Sequence, residues 1–448
     1  MDKNNEEKPI QSSLHKVLDV PAGIAILIGI TIGAGIYSTP QIIAGYQSSF
    51  SGIMTLWLGV GAFVFVGGLI YAELGTRMPR TGGEYVYISR CFGPFAGFMF
   101  GWAQLFIIRT SAAAGLSIIT INYLGYFIKM SAMTQTMLSL LVIAFLGTIN
   151  YIGIQHASIF QQISTLLKVG GLFVLVATGL ILIGDTENMI NTNAQPLQKL
   201  QPVANTVAAI ILIVFTHMGW DRIGYSAGEM KNPRKTIPIS LFVGLAVIII
   251  LYLSANFIYY RTLGIEGLRN STIVASDTAI MLIGPIGAGF TAVLVMISAI
   301  GSINGTMMTA PRVYYAMAKD GLFFKWLNYV HPKFRTPSRA IIAHCIWGAA
   351  ILLIRGQFET IVAGMVFAVL IFYALTTIAL FKLRKADDGS EDIYRMPFYP
   401  ILPAIYLLGI LSLLIFRGFY EWENSLMDLA FIATGLPFAL YWVRKSKG

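Results

Sequence analysis

The chain is predicted to be an all-α integral membrane protein with twelve crossing helices, and three observations predict it. Of its 448 residues, 56% are hydrophobic and only 12% charged, with a mean hydropathy of +0.71, a balance foreign to soluble globular chains. The apolar residues gather into runs long enough to cross a bilayer, which takes about 20 residues per helix. The basic residues collect between alternate runs, so the formal net charge of +10 belongs to membrane-flanking loops and not to a nucleic-acid surface.

Taken in order, the runs place helices at about 20–46, 50–75, 93–127, 135–152, 158–184, 202–228, 237–261, 284–318, 339–356, 360–381, 399–417 and 426–443. Residues 1–18 form a polar tail without the apolar core and small-residue cleavage site of a removable signal, so the first helix is expected to serve as insertion signal. Placing this tail in the cytoplasm puts 21 Lys and Arg on the inner side against 6 outside, so both termini are expected to be cytoplasmic. The other four, Arg109, Lys168, Arg222 and Arg312, fall within or at the ends of runs and need separate explanations. The chain then divides into five helices (19–184), an outer loop (185–201), five more helices (202–384), an inner loop (385–398), a last pair (399–443) and a short tail (444–448). Its two cysteines, Cys91 and Cys345, suggest neither a disulfide nor a metal site.

The first helix carries IGITIGAGIYSTP from Ile28 to Pro40. Its glycines, Gly29, Gly33 and Gly35, weaken a helix and admit close approach of a ligand to backbone. An unpaired peptide group in hydrocarbon costs several kcal/mol, so a break at this depth must face a cavity, a ligand or protein. The sixth helix has a matching interruption at Phe215-Thr216-His217-Met218-Gly219-Trp220-Asp221. The second break comes five spans after the first, and five is odd, so each would open one half of an inverted repeat, the plan of transporters whose site lies between discontinuous helices. The plainer alternative is that the glycines only let helices pack closely; their corresponding positions favour the site.

A broken helix offers free amides at one end and free carbonyls at the other. The amides after Gly33, Ala34 and Gly35 could hold a substrate carboxylate. Carbonyls near Thr31 and Ile32, with those of Phe215, Thr216 and His217 beside Gly219, could hold an ammonium. Apart from Asp221, one turn below, no Asp or Glu lies at either break, which favours neutral amino acids over cationic ones. Phe215 and Trp220 are expected to supply apolar walls.

These segments, with TGGEYVYISRCFGPFAGFMFGW, GEMKNPRKTIP, ISAIGSINGTMMTAPRVYYAMAKDGLF and HPKFRTPSRA, resemble the amino acid-polyamine-organocation superfamily. More narrowly, they resemble its L-type amino acid transporters and bacterial serine/threonine exchangers, over about residues 18–440. The resemblance implies a five-plus-five inverted-repeat, LeuT-like fold with two added helices, in a plasma membrane of the bacterial inner-membrane kind. By position, the family's carboxylate-binding segment matches Thr31 to Gly35 and its aromatic gate matches Phe215. Ala34 stands where many relatives have serine, and His217 and Met218 where relatives often carry an aromatic or acidic residue and a glycine. Mammalian relatives pair with a glycoprotein through a cysteine after the third helix. The loop near Lys129 has none, so no disulfide-linked heavy subunit is expected.

Lys168, about ten residues into the fifth helix, is costly in an apolar run unless paired, neutral or snorkelling. The resemblance implies a lysine that takes the place of a sodium ion, touching the first break and the eighth helix. Arg109 matches an arginine of L-type relatives; an ion pair that orients its helix is favoured over substrate contact. His217 is a candidate for substrate or proton handling, or simply a satisfied hydrogen-bonding residue. Ser298, Ser302 and Asn304 could face the first helix, or only bond between helices. Glu229 reads as part of a solvated loop, to which the resemblance adds a role in an inner gate.

The five histidines show no metal-ligand spacing, and no nucleophile elbow or phosphate loop occurs. No enzyme activity, cofactor or metal is therefore expected. The expected function is sodium-independent exchange of neutral L-amino acids by alternating access; proton symport and a transporter-like amino acid sensor are the alternatives.

Overall fold

The computed structural model describes residues 14–47, 49–182, 202–355, 365–386 and 393–445. Helix α1 (Val20–Thr31) starts where the Asp19 carboxylate accepts the Ala22 amide at 3.1 Å, with Pro21 in the first turn, where a missing N–H costs nothing. It stops in mid-span, and the chain resumes as α2 (Gly35–Ser38) and α3 (Pro40–Tyr46). The long α4 (Phe50–Arg77) follows a Ser49 cap. A short α5 (Glu84–Phe92) leads into a third span built from α6 (Pro94–Ala103), a π-helical turn at Gln104–Ile108 and α7 (Arg109–Leu124). Helices α8 (Ala132–Ile152) and α9 (Ile154–Leu182) close the first series.

The second series opens with α10 (Pro202–His217), which also stops in mid-span and continues as a tight 3₁₀ stretch, Trp220–Glu229. Then come α11 (Pro233–Asn270), α12 (Val274–Ile283), α13 (Ile286–Lys319), α14 (Ser338–Arg355) and α15 (Met365–Lys385). A final pair consists of α16 (Ile401–Tyr420) and a bent span, α17 (Trp422–Ala433) with α18 (Leu436–Lys445). Among the described residues, eleven spans are long and apolar enough to cross a membrane, and α14 supplies a shorter apolar helix at the ninth place.

Three boundaries depart from the sequence reading. The first run, 20–46, is interrupted twice, after Thr31 and again at Thr39, where Pro40 begins a new helix. The seventh runs on past residue 261 to Asn270 through a kink at Gly264 (φ 66°), and α12 occupies a stretch with no expected helix. The loop 185–201 and residues 387–392 of the loop 385–398 lie outside the described residues.

The surface and interior are reversed relative to a soluble protein. Large apolar side chains on α9, α14 and α16 are more than 60% exposed (Leu166, Ile181, Ile354, Phe419), while Arg109, Lys168, Asp221 and Arg312 are at most 1% exposed. Such a surface fits hydrocarbon, and the buried charges face protein. At the centre, α1 packs on α9, α11 and α13, which places its broken end among their polar faces.

Candidate substrate site at the two helix breaks

At the first break, carbonyls left without helical partners converge on side chains from two other helices. Lys168 of α9 donates through Nζ to the carbonyls of Gly29, Ile32 and Ser298, each at 2.8 Å. Three short bonds saturate an ammonium. Ser298 Oγ donates to Ile32 O at 2.8 Å, and Ser302 Oγ to Gly29 O at 3.1 Å. Gly301 makes this approach feasible, since a Cβ there would lie 3.0 Å from Lys168 Nζ and 2.8 Å from Ser164 Oγ. The amide of Gly33 is turned back to Thr31 O at 2.9 Å, so the amides free for a carboxylate begin after Gly33. Ala34 and Gly35 carry the amides that follow.

The second break is made by a backbone conformation. Gly219 has φ 126°, a region that side-chain-bearing residues avoid. A Cβ there would also meet Ile30 Cγ2 at 2.8 Å. The two breaks touch: Thr39 Oγ1 and Thr216 Oγ1 share a hydrogen bond of 3.0 Å. Tyr252 of α11 ties them from a third side, its hydroxyl lying 3.1 Å from Thr31 O and 3.2 Å from Thr216 O. Sequence reasoning missed Tyr252, because one tyrosine in a long apolar helix carries no local signal.

Between the breaks lies a cavity of about 80 Å³, lined by Thr31, Gly33, Ala34, Gly35, Phe215, Thr216, Met218 and Ser302 among the expected residues. At roughly 10–15 Å³ per water-sized sphere, it has room for a small amino acid. Phe215 is partly buried at its wall. Six lining residues were not expected: Ile30, Ser38, Ala112, Leu116, Arg222 and Thr306. Arg222 was visible only as a charge within a span.

Several expected residues turn elsewhere. His217 is buried, bonded through Nδ1 to Ile213 O at 2.9 Å, and packed against the rings of Trp57 and Tyr252; it does not line the cavity. One residue further along a helix rotates a side chain by about 100°, which carries His217 away from the face that Thr216 shows. Trp220 packs on Tyr71 and Tyr373 instead of forming a cavity wall. Asn304 faces α8 and α9, donating to Gln161 Oε1 at 2.7 Å and accepting from Asn150 at 2.9 Å, so it is a strut between helices and does not face α1. Ile32 acts through its carbonyl alone, and Gly219 through its backbone conformation.

Beneath the cavity lies a buried charged layer. Arg109 pairs with Asp221 at 2.7 Å and also donates to Gln104, which matches the helix-orienting reading. The Glu84 carboxylate accepts from Tyr71, Tyr225 and Thr376 at 2.6–3.1 Å. Glu229 is not solvated: its carboxylate takes two bonds from Arg312, at 2.7 and 2.8 Å, both side chains fully buried. Beside them the amides of Val17 and Leu18 donate to Glu229 O at 2.9 Å, and Lys231 N to Leu18 O at 2.8 Å. The segment before α1 is thus stitched to the end of the second break. No group of three or more metal-ligating side chains occurs among the described residues.

The profile of the amino acid permease family matches residues 18–434. The chain is 30% identical to the serine/threonine exchanger SteT of Bacillus subtilis, over 89% of this chain and 90% of that protein. It is 28% identical to the human b(0,+)-type amino acid transporter 1, covering 100% of this chain and 93% of that protein. Against the human cystine/glutamate transporter the identity is 25%, over 97% and 87% respectively.

Proposed function

The chain belongs to the amino acid permease family and is a multi-pass membrane protein of amino acid transport, and from that premise we propose that it is a sodium-independent exchanger of L-amino acids. The observation that carries the sodium independence is Lys168. Three carbonyls and a hydroxyl gathered at the first break are the oxygen cluster a sodium ion would take, and the ammonium fills it with 2.8 Å bonds.

The substrate's main-chain atoms bind between the breaks. The Ala34 and Gly35 amides take its carboxylate, the Thr31 and Phe215 carbonyls its ammonium, and Phe215 closes over it. Cationic side chains are disfavoured because the cavity wall holds no carboxylate to balance them. The relatives' names reach from serine and threonine to cystine and glutamate, so side-chain class is set by the few wall residues that differ on a shared platform. The two helix series, each opening with a broken helix, form an inverted repeat of five plus five within twelve spans. Both termini lie in the cytoplasm, which makes the face where Glu229 and Arg312 lie the inner gate, and the carrier works without a disulfide-linked second subunit.

The test is uptake by proteoliposomes holding the full chain. Labelled amino acid should enter at the same rate with or without sodium at fixed pH and membrane potential. Uptake rising steeply with sodium sinks the reading. Efflux that runs equally well into buffer without amino acid rules out obligatory exchange.

A further inference from the structure

Three arginines are buried near the centre of the molecule, and two of them are neutralised by carboxylates. Arg109 has Asp221 at 2.7 Å and Arg312 has both oxygens of Glu229. Arg222 is different. It is 4% exposed, and among the described residues its one hydrogen bond runs from Nη1 to the hydroxyl of Thr306, at 2.7 Å. Its Nε is buried without an acceptor. Its sequence neighbour Asp221 is committed to Arg109 and, at 3.5 Å, to the hydroxyl of Tyr225. Glu84, the other carboxylate of this layer, is held by three hydroxyls.

Arg222 and Thr306 both line the cavity between the breaks. A guanidinium out of water with a neutral partner is costly, and its planar fork is matched to a carboxylate. The formal charges around the cavity are Lys168, Arg109 and Arg222 against Asp221 and Glu84, which leaves one positive charge without a counter-charge. The cavity is open space that Arg222 borders.

We propose that Arg222, set by Thr306, is the side-chain specificity determinant of this carrier, and that the cavity takes small amino acids whose side chain ends in a carboxylate in preference to their uncharged isosteres. The inference rests on the site reading above and deepens it, since the main-chain atoms keep their places at the breaks. The substrate's second carboxylate accepts from the Nη2 edge of the guanidinium and supplies the missing negative charge. A cavity of about 80 Å³ suits a side chain as short as that of aspartate.

Aspartate and asparagine make the test, having nearly the same shape and differing by one charge. Proteoliposomes loaded with unlabelled serine are given labelled serine, and each compound is titrated as competitor against the full-length protein. Aspartate should compete at a concentration about tenfold or more below that of asparagine, the size of a charge-assisted contact. In Arg222→Gln that ratio should collapse to about one or invert, and in Arg222→Lys it should stay above one. The ratio is read within each protein, so it does not depend on how much flux a variant keeps. If Arg222→Gln does not insert, the wild-type ratio and the Lys variant still decide. Asparagine competing as well as aspartate in the wild type overturns the proposal, as does an unchanged ratio in Arg222→Gln. Equal loss of both competitors in that variant also overturns it, by assigning Arg222 to the α-carboxylate. No exchange of serine, aspartate or asparagine by the wild type is a different failure, that of the site reading itself.

Discussion

At the break after α1, carbonyls are held by charged and hydroxyl side chains reaching in from α9 and α13, whereas at the break after α10 the chain holds itself open through Gly219 and is surrounded by rings. Lys168 spends two of its donors on the first break and the third on the Ser298 carbonyl of α13. Around the second, Trp57, Tyr252 and His217 form an aromatic nest, and His217 Nε2 is buried without a partner. The difference suggests a division of labour. A fully bonded platform is rigid and reads the atoms common to every amino acid, while a loosely bonded, ring-packed segment can move and carries the residues that differ. Tyr252 is the joint between them, since its hydroxyl reaches a carbonyl of each.

The comparison is broken most severely at Lys168. Lys168→Met keeps the length of the side chain but removes its charge and leaves the carbonyls of Gly29, Ile32 and Ser298 short of a donor, each unmade bond costing about 1–3 kcal/mol. Exchange in proteoliposomes should fall by about 100-fold or more, with a lower melting temperature. Near-normal exchange would show that the platform does not depend on its cation. Gly219→Ala comes next. It puts a side chain at φ 126° and against Ile30 Cγ2, a strain of about 1–3 kcal/mol. The expected result is roughly tenfold to 100-fold weaker exchange, with detergent-solubilised protein melting lower by several degrees.

Tyr252→Phe sharpens the comparison because it cuts the joint and spares both sides. One donor, shared between the carbonyls of Thr31 and Thr216, is lost, worth about 1–1.5 kcal/mol, and the ring that packs on Trp57 and His217 stays. Exchange should slow by about tenfold for every substrate alike. A change confined to some side chains would place Tyr252 in selectivity and not in the coupling of the breaks.

How much of this was legible in the chain follows from the range of each signal. The spans, the two interruptions and Lys168 are local anomalies, a glycine cluster or a charge where hydrocarbon is expected, and a single segment displays them. The pair Arg312–Glu229 joins residues 83 apart in sequence, and Glu229 viewed within GEMKNPRKTIP reads as solvated. Arg222 is a local anomaly too, but only the fold shows that Asp221 next door belongs to Arg109. The π-helical turn at Gln104–Ile108, which shifts the register of α7 so that Ala112 and Leu116 meet the cavity, leaves no trace in apolar periodicity.

The smallest expected effect is the most discriminating for the second break. His217 and Met218 are neighbours, and both stand where the resembled family often carries other residues. Met218 lines the cavity, whereas His217 faces Ile213 O and the aromatic nest. Met218→Ala enlarges the cavity by three heavy atoms, so bulkier neutral amino acids should gain on alanine by a few-fold in competition. His217→Gln exchanges one hydrogen-bonding side chain for another outside the cavity; it should shift the rates of all substrates together and leave their ranking as it was. The competition ranking across a set of amino acids, measured side by side for the two variants, checks both. A ranking altered by His217→Gln would mean that the ring turns into the cavity during the cycle, and the second break would then be mobile in its side chains as well as in its backbone.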